Sequence, residues 1–124
     1  MEITEQIRQT LSDIQGIRFS YLFGSSAKDK RGALSDIDVA VYLEKRFNNF
    51  DHHLMIHHQI RKALKQEVDL IILNEIRNLY LVESIIKDGI VITDDEKDFR
   101  LYYETIMLHR ILDYKHFRTI IDAA

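Results

Sequence analysis

Residues 21–41 read YLFGSSAKDKRGALSDIDVAV, and the reading of this stretch decides the fold. An apolar strand, Ile17 to Phe23, runs into a turn at Gly24-Ser25. A polar loop follows, then a second strand from Asp36 to Leu43. Ten residues separate Ser25 from Asp36, so the pattern is Gly-Ser-x10-Asp-x-Asp. Side chains alternate along a strand. Asp36, Asp38 and Ala40 therefore share one face, and Ile37, Val39, Val41 and Leu43 share the apolar one.

Two carboxylates on one face, roughly 7 Å apart by strand rise, suit a hard divalent cation. Mg²⁺ takes oxygen ligands, commonly one or two carboxylates plus substrate phosphates. Gly24 lets backbone approach a phosphate, the N–H groups of a loop-to-helix junction attract anions, and Ser25 adds a hydroxyl donor. Alone, each half is uninformative: Gly-Ser turns are common, and Ser35-Asp36 could simply cap a turn. Joined at this spacing between two apolar strands, they describe phosphates at one strand end and metal at the next, as nucleotidyl transfer requires.

On Phe23-Gly24-Ser25-Ser26-Ala27, Ser35-Asp36-Ile37-Asp38-Val39 and Val68-Asp69-Leu70-Ile71, the chain resembles the minimal nucleotidyltransferases of the DNA-polymerase-β-like superfamily. Within these it resembles the antitoxins of HEPN/MNT toxin–antitoxin pairs. It departs from the family after Ala27, where Lys28-Asp29 replaces a frequent Arg-Gly. Lysine keeps the charge but loses the bidentate fork. The resemblance implies an α/β (α+β) fold with a mixed sheet and helices packed mainly on one side. It implies two Mg²⁺ ions held by Asp36 and Asp38, with Asp69 as a third ligand or as the base for the attacking hydroxyl. Gly24, Ser25, Ser26, Lys28 and Ser35 are the nucleotide-binding set. The implied activity is transfer of AMP from ATP to a tyrosine hydroxyl of a HEPN ribonuclease toxin. The alternatives are a binding-only antitoxin with a silent site and a small-molecule transferase of the aminoglycoside type. The three carboxylates count against the first, and the short chain against the second.

The 124 residues predict one domain, with a core over about 1–93 and a C-terminal helix over about 95–121. Seventeen basic and twenty acidic residues leave a net charge of −3, so no basic field predicts binding to long nucleic acids. Cysteine is absent, which removes disulfides and thiolate metal sites and fits a cytoplasmic chain. No apolar run approaches the roughly 20 residues of a membrane span, and MEITEQIRQT does not read as a signal peptide.

Helical spacing of Ile3, Ile7, Leu11 and Ile14 predicts a helix over 2–14. The turn and a short helix cover 24–32, where Lys28 or Arg31 could neutralise phosphate charge. A helix over 48–65 follows, capped by Asn48 or Asn49. His53 and His57 lie four apart there, but no carboxylate at matching spacing completes a zinc set. Strand three is Val68 to Leu73. Asp69 would be costly in it if buried without a partner; a shared metal, or a salt bridge to Lys65 or Arg61, would supply one. Asn74 is expected to cap a helix over 75–87, before a strand over 90–93. In the last helix one face carries Phe99, Tyr102, Tyr103, Ile106, Arg110, Asp113 and Phe117, and another Leu101, Leu108, Ile111, Leu112 and Tyr114. At about 40 Å it outruns the domain. Either it bends and wraps back over the sheet, or part of it projects as an interface, with the toxin or with a second copy of the chain.

Overall fold

Alternating apolar residues turn the opening stretch into an antiparallel pair. β1 (Ile17–Phe23) lies beside β2 (Ile37–Leu43), with Tyr21 opposite Ala40 and Phe23 opposite Asp38. The structure is a computed structural model that describes residues 2–24 and 37–123. The expected short helix beyond Gly24 and the expected strand start at Asp36 lie outside the described residues. β3 (Val68–Ile72) joins β2 in parallel, and β4 (Ile90–Asp94) joins β1 antiparallel. The mixed four-stranded sheet runs β3-β2-β1-β4. A parallel neighbour needs a crossover, which is α2 (Phe50–Leu64). The other helices are α1 (Ile3–Ser12), α3 (Leu79–Asp88) and α4 (Lys97–Ala123).

Each strand's two faces feed different cores. Ile37, Val39, Val41 and Leu43 bury against Ile7 and Leu11 of α1 and Ile56 and Ile60 of α2. Phe19, Tyr21, Phe23 and Ala40 face the other way, toward Ile85 of α3 and Tyr103 of α4. The larger core belongs to the α1–α2 face, while α3 and α4 cover part of the second. Simple alternation groups Ile17 with Phe19, but a register shift between them sends Ile17 into the α1–α2 core.

Caps explain where helices start. The Asn49 side chain accepts from the His52 N–H, as a good N-cap does, and a 3-10 turn (Lys45–Phe47) precedes it. Asn74 does not cap α3. Its amide instead bridges the end of β2, accepting from Leu43 N at 2.9 Å and donating to Leu43 O at 2.8 Å. The cap is Asn78, which accepts from Tyr80 N and Leu81 N, so α3 starts four residues later than expected.

α4 packs along one seam. Phe99, Tyr103, Met107 and Ile111 recur every fourth residue, with Met107 and Ile111 buried. Phe99 meets Phe19 and Tyr42 edge-on, 6.1 and 5.3 Å between centroids. Tyr102 and Arg110 line a hollow together with Phe99 and Tyr103, while Asp113 and Phe117 further along the helix are exposed. A polar network fixes the same helix. Arg100 Nε donates to Asp94 Oδ2 at 2.8 Å and its Nη1 to Glu104, while the Tyr21 hydroxyl donates to Glu104 Oε2 at 3.0 Å. Burial, then the Glu104 charge, pushes the Tyr21 hydroxyl far above the ordinary tyrosine range. No helix among the described residues is long and apolar enough to cross a membrane.

Candidate active site

Packing of Ile37 and Val39 on the α1–α2 face turns Asp38 to the opposite one. Asp38 is flanked by Phe23 of β1 and Asp69 of β3, so Phe23, Asp38 and Asp69 form one row across three strands. Adjacent strands lie about 4.8 Å apart, which brings the two carboxylates side by side. Asp38 is half-buried and Asp69 exposed at the sheet's edge. The burial cost expected for Asp69 therefore does not arise. Arg61, one of its two expected partners, pairs with Glu67 at 2.8 Å.

Gly24 ends β1 beside the same row, with φ +72. A Cβ there would collide with Asp38 Oδ2. The glycine thus both makes the left-handed turn and keeps clear the space at that carboxylate oxygen. Gly24, Asp38 and Asp69, which lie 14 and 31 residues apart in the sequence, meet at one end of the sheet. Ser25, Ser26, Lys28, Ser35 and Asp36 lie outside the described residues.

The donors fit Mg²⁺ in kind. Asp38 and Asp69 offer hard oxygens in one row, next to a cleared backbone turn that can admit phosphate. Among the described residues no cluster of three His, Cys, Asp or Glu side chains could hold a metal by itself. Two of the histidines of α2 are engaged elsewhere. His53 Nε2 donates to Asn48 Oδ1 and His57 Nε2 to Val68 O, each at 2.7 Å. The second bond ties α2 to the residue before Asp69. Sequence reasoning missed this role for His57, because a partner that is a backbone carbonyl leaves no trace in residue types.

Comparison with known proteins gives the family. The family model described as "Polymerase beta, Nucleotidyltransferase" matches residues 5–98, which include Gly24, Asp38 and Asp69. A Methanocaldococcus jannaschii protein named "Putative protein adenylyltransferase MJ1379" is 33% identical over 92 residues, 73% of this chain and 92% of its own. Among solved structures, a toxin–antitoxin complex with AMP-PNP contains a chain of the same fold, with TM-score 0.74, 24% identity and 97% of both chains covered. A second match is to the structure of a tri-AMPylated Shewanella oneidensis HEPN toxin in complex with MNT antitoxin, with TM-score 0.68, 24% identity and coverage of 98% and 95%. The matched span runs from α1 through all four strands, and the chain belongs to the polymerase-β nucleotidyltransferase family.

Proposed function

We propose that this chain is an antitoxin enzyme that transfers AMP from ATP to a tyrosine hydroxyl of a HEPN ribonuclease toxin, and that it works in the cytoplasm. The observation that carries the reading is the row of Asp38 and Asp69 beside Gly24. Asp38 and Asp69, with Asp36, are the residues that would hold Mg²⁺. When bound, the metal supplies charge neutralisation for the triphosphate and its leaving group.

The chain's own residues account for the rest. Gly24 lets the triphosphate approach, with Ser25, Ser26, Lys28 and Ser35 as its further contacts. In the transfer, the tyrosine oxygen bonds to the α-phosphorus of ATP. The bond from that phosphorus to the bridging oxygen of the β-phosphate breaks, and pyrophosphate leaves. The hydroxyl proton departs toward Asp69, which stands exposed at the acceptor edge of the row. A carboxylate within reach of the attacking hydroxyl is a competent base. The relatives support the reading: one is named for protein adenylylation, and one solved complex pairs an MNT antitoxin with an AMPylated toxin.

Incubation of the purified chain with ATP, Mg²⁺ and its HEPN toxin, followed by intact-mass analysis, is the test. AMP-sized increments are expected on the toxin, and Asp36→Asn and Asp38→Asn should each abolish them. A stable complex that gains no mass would establish the binding-only antitoxin instead. Unchanged transfer by Asp38→Asn would remove the metal assignment.

A further inference from the structure

We infer that this chain self-associates: two copies pair through the free face of α4, antiparallel, with Arg110 of each helix against Asp113 of the other.

The spacing along α4 carries this. Phe99, Tyr103 and Ile106 recur at intervals of four and three, and Arg110, Asp113, Phe117 and Ile120 continue the same alternation. Residues spaced in this way form one stripe along a helix and suit a second helix laid against it. The near end of the stripe is used within the chain, since Phe99 and Tyr103 pack on Phe19 and Tyr42. The far end is not. Arg110, Asp113, Phe117 and Ile120 are exposed, and no ion pair joins Arg110 or Asp113 to another described residue. Beside the middle of the stripe lies the hollow of about 270 Å³, where Tyr102, Tyr103 and Ile106 face Tyr42, Leu73 and Ile76.

Symmetry selects the occupant. In a two-fold contact each residue meets the one that meets it in return. With Arg110 set against Asp113 of an antiparallel second helix, Ile106 falls opposite Phe117 and Tyr103 opposite Ile120, and every pairing occurs twice. Phe117 of one copy then reaches the hollow of the other, next to Ile106. The two charge pairs sit at the centre, between apolar layers. A parallel alignment fails, because Arg110 would face Arg110 and Asp113 would face Asp113. Charges within such a stripe fix orientation and register. A face shaped for an unrelated protein has no reason to complement itself in this way.

From Tyr103 to Ile120 the stripe runs about 27 Å. The pairing covers Phe117 and Ile120, which are 58% and 54% exposed in the single chain. The dimer is independent of the transfer chemistry, since none of Gly24, Asp38 and Asp69 borders the hollow.

Sedimentation velocity of the full chain alone, from about 1 to 100 µM, should show the dimer replacing the monomer as concentration rises. Arg110→Asp and Asp113→Arg each set like charges face to face twice, and each should raise the dissociation constant of the dimer about tenfold or more. The double reversal, Arg110→Asp with Asp113→Arg, should bring it back to within about threefold. Both positions are exposed, so the variants should fold, and circular dichroism checks that they do. Orientation is read separately. The chain has no cysteine, so an oxidised mixture of Ile106→Cys and Phe117→Cys chains should give the mixed disulfide in preference to either like pair. Should a cysteine variant misfold, the charge reversals decide. A wild type that remains a monomer over the whole range overturns the proposal and leaves this face to the toxin. A dimer indifferent to the single reversals, or not restored by the double one, overturns it as well, as does a mixed disulfide no commoner than its statistical share.

Discussion

Gly24→Ala concentrates two costs at one atom. The left-handed turn penalises a Cβ by about 1–2 kcal/mol, and that Cβ would displace the Asp38 carboxylate. The variant should melt several degrees lower, at roughly 4 °C per kcal/mol for a chain of this length, and lose at least about tenfold in transfer. A melt paired with a transfer assay checks both; full activity in a destabilised variant would separate the turn from the site. Asp69→Asn should behave differently. Its amide keeps the shape but cannot take a proton, so the transfer rate should fall strongly while ATP affinity, measured by calorimetry, falls less than in Asp38→Asn. At this scale much was legible. Alternation fixed the face of Asp38, and composition singled out Asp69 in an apolar strand. The adjacency of the two was not legible, because strand order depends on where α2 carries the chain after β2. Nor was the exposure of Asp69, which follows from β3 being the edge.

Among elements, strands were more readable than helix starts. β1 and β3 begin where period-two alternation begins, at Ile17 and Val68. α3 was misplaced because two asparagines competed for its cap and Asn74 was drawn to Leu43, a contact set by tertiary position. The seam of α4 was half-read for a similar reason, since several apolar stripes fit the pattern and only contact with Phe19 and Tyr42 selects one. That docking has a pH signature. Burial, then Glu104, raises the Tyr21 hydroxyl, and burial, then Tyr42, raises that of Tyr103. Unfolded tyrosines titrate near 10.0, whereas the folded hydroxyls keep their protons. The stabilisation is therefore whole below pH 10 and is lost as pH rises beyond it. Urea midpoints should hold steady from about pH 7 to 9 and fall above about 10, with a smaller fall in Tyr21→Phe and Tyr103→Phe.

On the scale of the molecule, α4 serves two purposes along its length. Its first half completes cores through Tyr103, Met107 and Ile111, and Lys115 then pins it to Glu83 of α3 at 2.7 Å. Beyond that point Phe117, Ile120 and Ile121 are 58%, 54% and 53% exposed. A helix uninterrupted by proline was legible, as was its excess of apolar surface. The division between core and exposed halves was not, since it depends on how far the sheet extends beneath it. Removal of everything after Asp98 would take Tyr103, Met107 and Ile111 out of the packing on that face and test only folding. Phe117→Glu with Ile120→Glu is the sharper probe. The pair should leave the melting temperature within about 2 °C, as exposed sites do, and should weaken assembly with the toxin about tenfold if the far end of α4 anchors it. Gel filtration of the mixture reads the result, and unchanged assembly would confine the interface to the rest of the fold.

β4 closes the sheet onto β1 through partners such as Ser20 and Thr93, whose hydroxyls meet at 2.6 Å although 73 residues separate them. Joining segments so distant costs more chain entropy than pairing β1 with β2 or carrying β2 through α2 into β3. Assembly of β1–β2–α2–β3 can thus precede the arrival of β4, and the clasp between Tyr21 of β1 and Glu104 of α4, which lie 83 residues apart, can form only after that. Contacts made after the rate-limiting step govern how fast a protein comes apart, not how fast it forms. Tyr21→Phe should therefore steepen loss rather than slow gain: in stopped-flow chevrons the unfolding limb should rise several-fold while the refolding limb stays in place. A chain built this way would owe its lifetime to its last-made contacts, with proteolytic half-life following the clasp more closely than the catalytic end of the sheet.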